Sequence, residues 1–138
     1  MRLAVLLLAA LLVAVSAPAA RAQQPSILGG WSGVDGRGVK QTLEFREDGK
    51  ATWRLEMPQG GMSLDIRYAY DAASSPKRLD LFGFESGPLA GRTLYGIVEF
   101  TTEGALRFDC EPGGPGDGDK VRPAAFTEQT VTYERVTR

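Results

Sequence analysis

The stretch Leu94-Tyr-Gly-Ile-Val-Glu-Phe-Thr-Thr-Glu-Gly-Ala-Leu-Arg-Phe-Asp-Cys110 has the pattern of a complete β-hairpin. Apolar side chains recur at alternate positions on both arms, as in half-buried strands, and Gly104 lies between the arms. A loop at 102–104 that ends in this glycine predicts the cross-strand pairs Phe100 with Leu106, Val98 with Phe108, and Gly96 with Cys110. Cys110 then faces inward opposite a residue without a side chain. We therefore expect room for its sulfur and a buried, inert thiol.

A second hairpin with the same loop design is predicted at residues 39–57. Both arms alternate apolar with polar residues, and the turn between them contains Asp48-Gly49. A two-residue turn would place Glu44 opposite Trp53, which would put a solvent residue and a core residue on one face. A loop at 47–49 instead pairs Leu43 with Trp53 and Phe45 with Ala51, and this is the register that we expect.

The rest of the chain continues the alternating pattern. Further strands are predicted at 62–70, 78–82 and 130–135, after an opening segment that contains Gly29-Gly30-Trp31. About eight short strands, regular turn signals and no helical period are typical of an antiparallel sandwich or a closed barrel. Closure would remove the exposed sheet edges that an exported monomer has reason to avoid. The expected fold is all-β, a small antiparallel up-and-down barrel of about eight strands.

Residues 1–22 have the pattern of a signal peptide. Arg2 supplies a positive start, 3–15 is an apolar run too short for a comfortable membrane span, and Ala20-Arg21-Ala22 is a typical cleavage site. The expected organisation is a signal peptide at 1–22, an N-terminal arm at 23–28 and one domain at 29–138. We expect an exported protein, periplasmic or extracellular after cleavage near Ala22, with no transmembrane segment.

The amino-acid composition excludes several kinds of catalytic, metal and binding site. The chain contains no histidine, which excludes histidine-based triads and histidine-bound zinc, and Cys110 has no second cysteine with which to form a disulfide within the chain. Loss of Arg2 and Arg21 with the signal leaves 14 of the 16 basic residues against 17 acidic ones, a net charge of −3. The bases are scattered, so nucleic acid is not an expected partner.

Three connecting segments carry specific expectations. The loop 83–91, with Phe84 and Leu89, is either a lid over an opening or a connection tucked on the surface. The Gly- and Pro-rich segment 111–120 is not expected to join a ladder, and its two aspartates lack the further oxygen ligands of a calcium loop, so no metal is expected. The segment 121–126 is expected to return to the core through Phe126.

Six short motifs occur in an order that matches a known family. They are Gly29-Gly30-Trp31, Pro76-Lys77-Arg78-Leu79-Asp80, Gly96-Ile97-Val98, Leu106-Arg107-Phe108-Asp109-Cys110, Arg122-Pro123-Ala124-Ala125-Phe126 and the terminal Arg135. With them the chain resembles a planctomycete-type family of lipocalin-like secreted domains, over nearly all of the mature sequence. It departs from the family pattern at Val98, where tyrosine is usual, and in the Gly- and Pro-rich loop after Cys110.

The resemblance implies a lipocalin-like barrel and brings no known activity, cofactor or catalytic residue. It also implies one contact, because the tryptophan of Gly-x-Trp in such barrels lies at the closed end beneath an arginine of the last strand. The matching residues are Trp31 and Arg135, and their cation-π packing would close the barrel floor with about 0.5 to 2 kcal/mol. The alternative is an exposed terminal arginine.

The sequence leaves three functions to weigh. The first is a module that binds a small apolar or amphipathic ligand in the barrel, with the site expected near Tyr68, Tyr70, Phe82 and Phe84. The second is a packed structural or protein-interaction domain of the cell envelope without a cavity. The third is an enzyme, in which two of the carboxylates Asp65, Asp80, Glu99 and Asp109 would form a catalytic pair. Catalysis is not expected, because the alternation of the strands places Asp65, Glu99 and Asp109 on solvated outer faces. Arg107 and Arg122 near Cys110 could bind an anion, although Arg122 is expected to position Phe126.

Overall fold

The structure is a computed structural model that describes residues 25–137. The predicted signal peptide at 1–22 lies outside the described residues. Eight β-strands and one short 3-10 turn follow in order: β1 Gly29–Val34, β2 Lys40–Phe45, β3 Lys50–Met57, β4 Gly60–Asp71, β5 Lys77–Phe82, β6 Thr93–Phe100, β7 Leu106–Gly113, the turn Gly118–Lys120, and β8 Val131–Arg135. Among residues 25–137, no helix is long and apolar enough to cross a membrane.

The strands form a closed antiparallel barrel with up-and-down topology. Each strand pairs with its neighbours in the chain, and β8 closes the circle by pairing with β1. Both predicted hairpin registers are confirmed, since Leu43 lies opposite Trp53 in one and Val98 lies opposite Phe108 in the other. Gly49 and Gly104 have positive φ angles of 78° and 85°, the conformation that each loop requires of its last residue.

Much of the barrel interior is filled by side chains. Fourteen buried hydrophobic residues form a continuous cluster, which includes Leu43, Phe45, Leu79 and Leu81. The N-terminal arm takes part, because Ile27 is only 4 % exposed and its carbonyl accepts a 2.8 Å hydrogen bond from the indole of Trp31. The part of the predicted arm that the structure describes, residues 25–28, is therefore partly integrated into the core.

The floor of the barrel has the contact that the resemblance implies. Arg135 lies opposite Trp31 in the β1–β8 ladder, and its guanidinium carbon is 4.1 Å from the centre of the tryptophan ring. The same guanidinium donates hydrogen bonds to the carbonyls of Leu28, at 2.8 Å, and Ser26, at 2.6 Å. The arginine thus joins the last strand, the tryptophan and the arm, although the residue remains exposed to solvent.

Strand β7 is longer than predicted. It continues through Pro112 to Gly113 and pairs with β6, so the expectation that the ladder ends at Cys110 is wrong. The reason lies on the other side of β7, where β8 pairs only with Leu106–Phe108. Beyond Phe108 the strand has one unpaired edge, and a proline is tolerated on such an edge because no ladder hydrogen bond is lost there.

The segment after β7 does not return to the core. Phe126 is half-buried on the outside of the barrel, where the guanidinium carbon of Arg107 lies 4.4 Å from its ring centre. Arg107 points outward by the alternation of β7, so a residue that packs on it must lie outside as well. We call residues 121–130 the strap, because they cross the outer face of the barrel between the 3-10 turn and β8.

Candidate functional site

A cavity of about 430 Å³ lies at the end of the barrel opposite the Trp31–Arg135 floor. Its inner wall consists of inward-facing strand residues, most of them apolar or aromatic: Gln41, Trp53, Leu55, Phe108, Cys110, Val131 and Tyr133. Its rim comes from the β1–β2 connection and the end of the strap: Asp35, Gly36, Arg37, Glu128 and Gln129. The interior is therefore filled towards the floor and open towards this rim, which we call the mouth.

Gln41 is the polar centre of the cavity wall. Its side-chain oxygen accepts hydrogen bonds from the hydroxyl of Tyr133, at 2.9 Å, and from the indole of Trp53, at 3.2 Å. Its side-chain nitrogen donates a 3.0 Å bond to Asp35, and the residue is only 5 % exposed. Gln41 was not identified from the sequence, although its alternation with Leu43 and Phe45 places it on the inward face of β2.

Asp35 links this polar centre to the mouth. Besides Gln41, its carboxylate accepts bonds from the side chain of Arg37 and from the backbone N–H groups of Arg37 and Val39. Burial by itself raises the pKa of Asp35, but the hydrogen bonds from Arg37 and Val39 outweigh it, and the pKa is lowered overall. The connection 35–39 is thus held by a charged carboxylate at the edge of the cavity.

Two titratable groups line the interior in their neutral form. Burial raises the pKa of the Cys110 thiol to about 12, and the nearby charges of Asp109 and Glu111 act in the same direction. Burial also raises the pKa of the Tyr133 hydroxyl. Cys110 is half-buried on the cavity wall, so the predicted full burial is not confirmed, while the raised pKa keeps the thiol in its less reactive protonated form.

The strap is fastened by a buried carboxylate that was expected from the sequence to lie in solvent. Asp109 is 2 % exposed, and its Oδ2 accepts bonds from the N–H of Thr127 at 2.8 Å, the hydroxyl of Thr127 at 2.6 Å and the hydroxyl of Thr130 at 2.8 Å. The alternation of β7 correctly predicted that Asp109 points outward. The prediction that it lies in solvent was wrong, because the strap covers this part of the outer face. Its Oδ1 is buried and has no hydrogen-bond partner among the described residues.

The four residues predicted to form a ligand site do not line this cavity. Tyr68 and Tyr70 face inward opposite Leu81 and Leu79, and the hydroxyl of Tyr68 donates a 2.6 Å bond to the carbonyl of Arg46. Phe82 lies opposite Arg67, so the period of the ladder puts it on the other face of the sheet from the two tyrosines. The predicted convergence of hydroxyls and rings is therefore not present.

Phe84 belongs to the core instead. It is 6 % exposed, and its ring centre lies 6.3 Å from that of Trp53 in an edge-to-face arrangement. It also borders a separate, polar groove of about 770 Å³ beside Thr52 and Asp65. The loop 83–91 is thus anchored by a buried ring, and of its two predicted apolar residues Phe84 is the more deeply placed.

The outer charges of the barrel are engaged with one another. Arg122 forms a two-pronged ion pair with Asp80, at 2.5 and 3.2 Å, and donates to the carbonyl of Gly96 at 2.8 Å. Arg107 pairs with Glu99. Neither arginine is left open for an anion, and Arg122 ties the start of the strap to β5 and β6. The candidate catalytic carboxylates likewise have separate partners, since Asp65 accepts a bond from Thr52.

Among residues 25–137, no group of three or more cysteine, aspartate and glutamate side chains could hold a metal ion. The two aspartates of the Gly- and Pro-rich segment are bound within the protein. Asp117 accepts a 2.8 Å bond from the N–H of Gly114, and Asp119 lies 3.1 Å from Arg122 and 3.5 Å from Arg78.

Comparisons with models of protein families, with curated proteins and with solved structures found no match to this chain. The resemblance to the planctomycete-type lipocalin-like domains therefore stays a prediction, while the closed barrel rests on the strand pairing itself.

Proposed function

We propose that this protein is an exported binding module that takes a small apolar or amphipathic ligand into the mouth of its barrel. The observation that carries the proposal is the cavity of about 430 Å³, which is open to solvent at the rim and lined inside by Trp53, Leu55, Phe108 and Tyr133. Ligand sites of proteins usually have volumes of about 300 to 1,000 Å³ and are mostly apolar with a few fixed polar groups.

The polar groups of the cavity support the same function. Gln41, Tyr133 and Trp53 hold one another through the hydrogen bonds described above, so their positions do not depend on a ligand. A pre-formed site loses less conformational entropy on binding than one that must be ordered. The rigid network therefore favours recognition of one shape of ligand over general adhesion.

The alternative is a packed structural or protein-interaction domain. The filled part of the interior favours it, because Trp31, Phe45, Leu79 and Leu81 are each at most 2 % exposed. The cavity at the mouth favours the binding module. The two functions differ in one measurable respect, which is whether a neutral apolar molecule enters the cavity.

The test is titration with N-phenyl-1-naphthylamine, an uncharged dye whose fluorescence rises in apolar surroundings. The matched variants are Val131→Trp, which puts a large ring into the cavity, and Val34→Trp, which puts the same ring on an exposed position outside it. We expect the natural protein and Val34→Trp to bind the dye and Val131→Trp to bind it at least about tenfold more weakly. Circular dichroism shows whether both variants remain folded.

Two results would overturn the proposal. One is that the natural protein does not bind the dye, and the other is that folded Val131→Trp binds it as well as Val34→Trp does. Native mass spectrometry of protein purified without refolding gives a second measurement, since a co-purified small molecule should be absent from Val131→Trp.

A further inference from the structure

The charged residues at the mouth differ in whether they have a partner of opposite charge. Asp35, Arg37 and Glu128 are the charged residues among those that line the cavity. Arg37 directs both its Nε, at 3.3 Å, and its Nη2, at 2.9 Å, to Asp35. These two residues neutralise each other, and Asp35 has further bonds from backbone N–H groups and from Gln41. The charge that remains uncompensated at the mouth belongs to Glu128.

The carboxylate of Glu128 has no hydrogen bond or ion pair within the described part of the chain, whereas its backbone is firmly held. The turn around it is closed by a 3.1 Å bond from the N–H of Thr130 to the carbonyl of Thr127. The N–H of Gln129 donates to the hydroxyl of Thr127, and buried Asp109 binds both threonines. A fixed backbone thus presents an unpaired anion at the rim.

The inner wall of the cavity presents the faces of aromatic rings to a ligand, and its ring N–H and O–H groups are already used in hydrogen bonds. The indole N–H of Trp53 and the hydroxyl proton of Tyr133 both go to Gln41, and a side-chain N–H of Gln41 goes to Asp35. An anionic group placed among these rings would find no free donor on Trp53 or Tyr133, and it would meet Glu128 at the rim. The faces of aromatic rings attract cations through their quadrupole, and a nearby carboxylate adds to that attraction.

The charge of the whole protein acts in the same direction. The mature sequence expected after removal of 1–22 has 14 basic and 17 acidic residues. An excess of acidic residues raises the local concentration of cations and lowers that of anions, an effect that salt screens.

We infer that the cavity takes an amphipathic organic cation, with its ammonium group beside Glu128 and its apolar body among Trp53, Phe108 and Tyr133. This inference rests on the proposed function and adds the chemical class of the ligand to it. The strap has a role in this arrangement, because Asp109 and the two threonines set the position of the carboxylate that recognises the cation.

The test uses three probes that share one apolar body: 4-phenylbutylamine, which is cationic at pH 7.5, uncharged 4-phenylbutanol, and anionic 4-phenylbutyrate. Each displaces N-phenyl-1-naphthylamine from the protein in low-salt buffer. We expect the amine to bind about five- to tenfold more tightly than the alcohol, and the carboxylate to bind most weakly. Added salt should reduce the advantage of the amine and leave the alcohol unchanged.

The variant Glu128→Gln removes the charge, and Glu134→Gln is its control, since Glu134 is exposed on β8 and does not line the cavity. Glu128→Gln should bring the amine down to the affinity of the alcohol, whereas Glu134→Gln should change neither. Binding of the dye with no preference for the amine, a preference for the carboxylate, or an unchanged preference in Glu128→Gln would overturn the inference and leave the proposed function standing. Failure of the dye and of all three probes to bind would overturn both.

Discussion

The ring of Phe108 lies against the backbone of Gly96 and occupies the space where a side chain at residue 96 would be. A Cβ at this position would also come within 2.6 Å of the carbonyl oxygen of Leu79. From the sequence, this space was expected to hold the sulfur of Cys110, which lies opposite Gly96 in the ladder. The pairing is correct, but the glycine makes room for an aromatic ring two residues away, and this ring forms part of the cavity wall.

This contact predicts that Gly96→Ala is strongly destabilising. The added methyl group meets the Phe108 ring on one side and strand backbone on the other, so the strands must move apart, at a cost of about 1 to 3 kcal/mol or more. Gly36→Ala is the control, because a Cβ there has nothing within 4 Å. Urea unfolding of both variants measures the difference. Equal, small losses would show that the ring does not fill this space.

Replacement of Arg135 by alanine should loosen the floor of the barrel. It removes the cation-π contact with Trp31 and two hydrogen bonds to the arm, and the expected loss of stability is about 1 to 2 kcal/mol. Arg67→Ala is a suitable control, since Arg67 is exposed and its side chain has no hydrogen bond or ion pair among the described residues. Thermal melts compare the two variants. A loss for Arg67→Ala as large as that for Arg135→Ala would contradict the role of Arg135 in closing the barrel.

The raised pKa of Cys110 predicts a loss of stability in alkaline solution. Burial in the barrel raises the pKa of this thiol from its ordinary value of 9.0, which applies in the unfolded chain, to about 12. Folding therefore favours the protonated thiol. Its contribution to the free energy of unfolding is complete below pH 9 and declines as the pH rises towards 12. Its slope is about 1.4 kcal/mol per pH unit for one proton.

Urea unfolding between pH 7 and pH 11 measures this effect, with Cys110→Ala as the comparison. The variant should lose less stability between pH 9 and pH 10 than the natural protein. Above pH 10 both should decline, because the Tyr133 hydroxyl also has a raised pKa and remains in the variant. Parallel curves for the two proteins over the whole range would show that folding does not raise the pKa of the thiol.

Replacement of Asp109 by alanine should release the strap without opening the barrel. The change removes the acceptor for three hydrogen bonds from Thr127 and Thr130, although it also removes the unpaired Oδ1. We expect amide hydrogens of residues 126–130 to exchange at least about tenfold faster, with little change in the strands.

Asp71→Ala is the control for this measurement, because Asp71 accepts a bond from the N–H of Ala73 in an exposed turn far along the chain from the strap. It should affect exchange only in its own turn. An unchanged strap in Asp109→Ala would mean that Phe126 and Arg122 hold the segment without the aspartate.

The hairpin registers were predictable because their causes are local. Only one register for each hairpin keeps the apolar residues on one face. It follows from the alternation of β2, β3, β6 and β7 and from the glycines at 49 and 104. The contact between Trp31 and Arg135 was expected only from the family resemblance, since the two residues lie at opposite ends of the domain. The alternation of β2 is a signal that could have placed Gln41 on the inward face, but its role depends on hydrogen bonds from Tyr133 and Trp53, which belong to other strands.

The predicted ligand site failed for a related reason. The aromatic residues of β4, β5 and the loop that follows are close in the sequence, and their proximity suggested a shared pocket. The ladder puts Phe82 on the opposite face from Tyr68 and Tyr70, and Phe84 packs against Trp53 in the core. No local pattern shows which inward positions are covered and which are left open.

The sequence by itself determined most of the strands, the register of the two hairpins and the face of each side chain in β2, β3 and β6, because a period of two residues and turn chemistry act over short distances. Only the tertiary structure decided that the barrel is filled at the floor and open at the mouth, and that the strap buries Asp109. Those features depend on how much volume residues from distant strands occupy when β8 meets β1, and on which outer surface a segment without strand pattern covers.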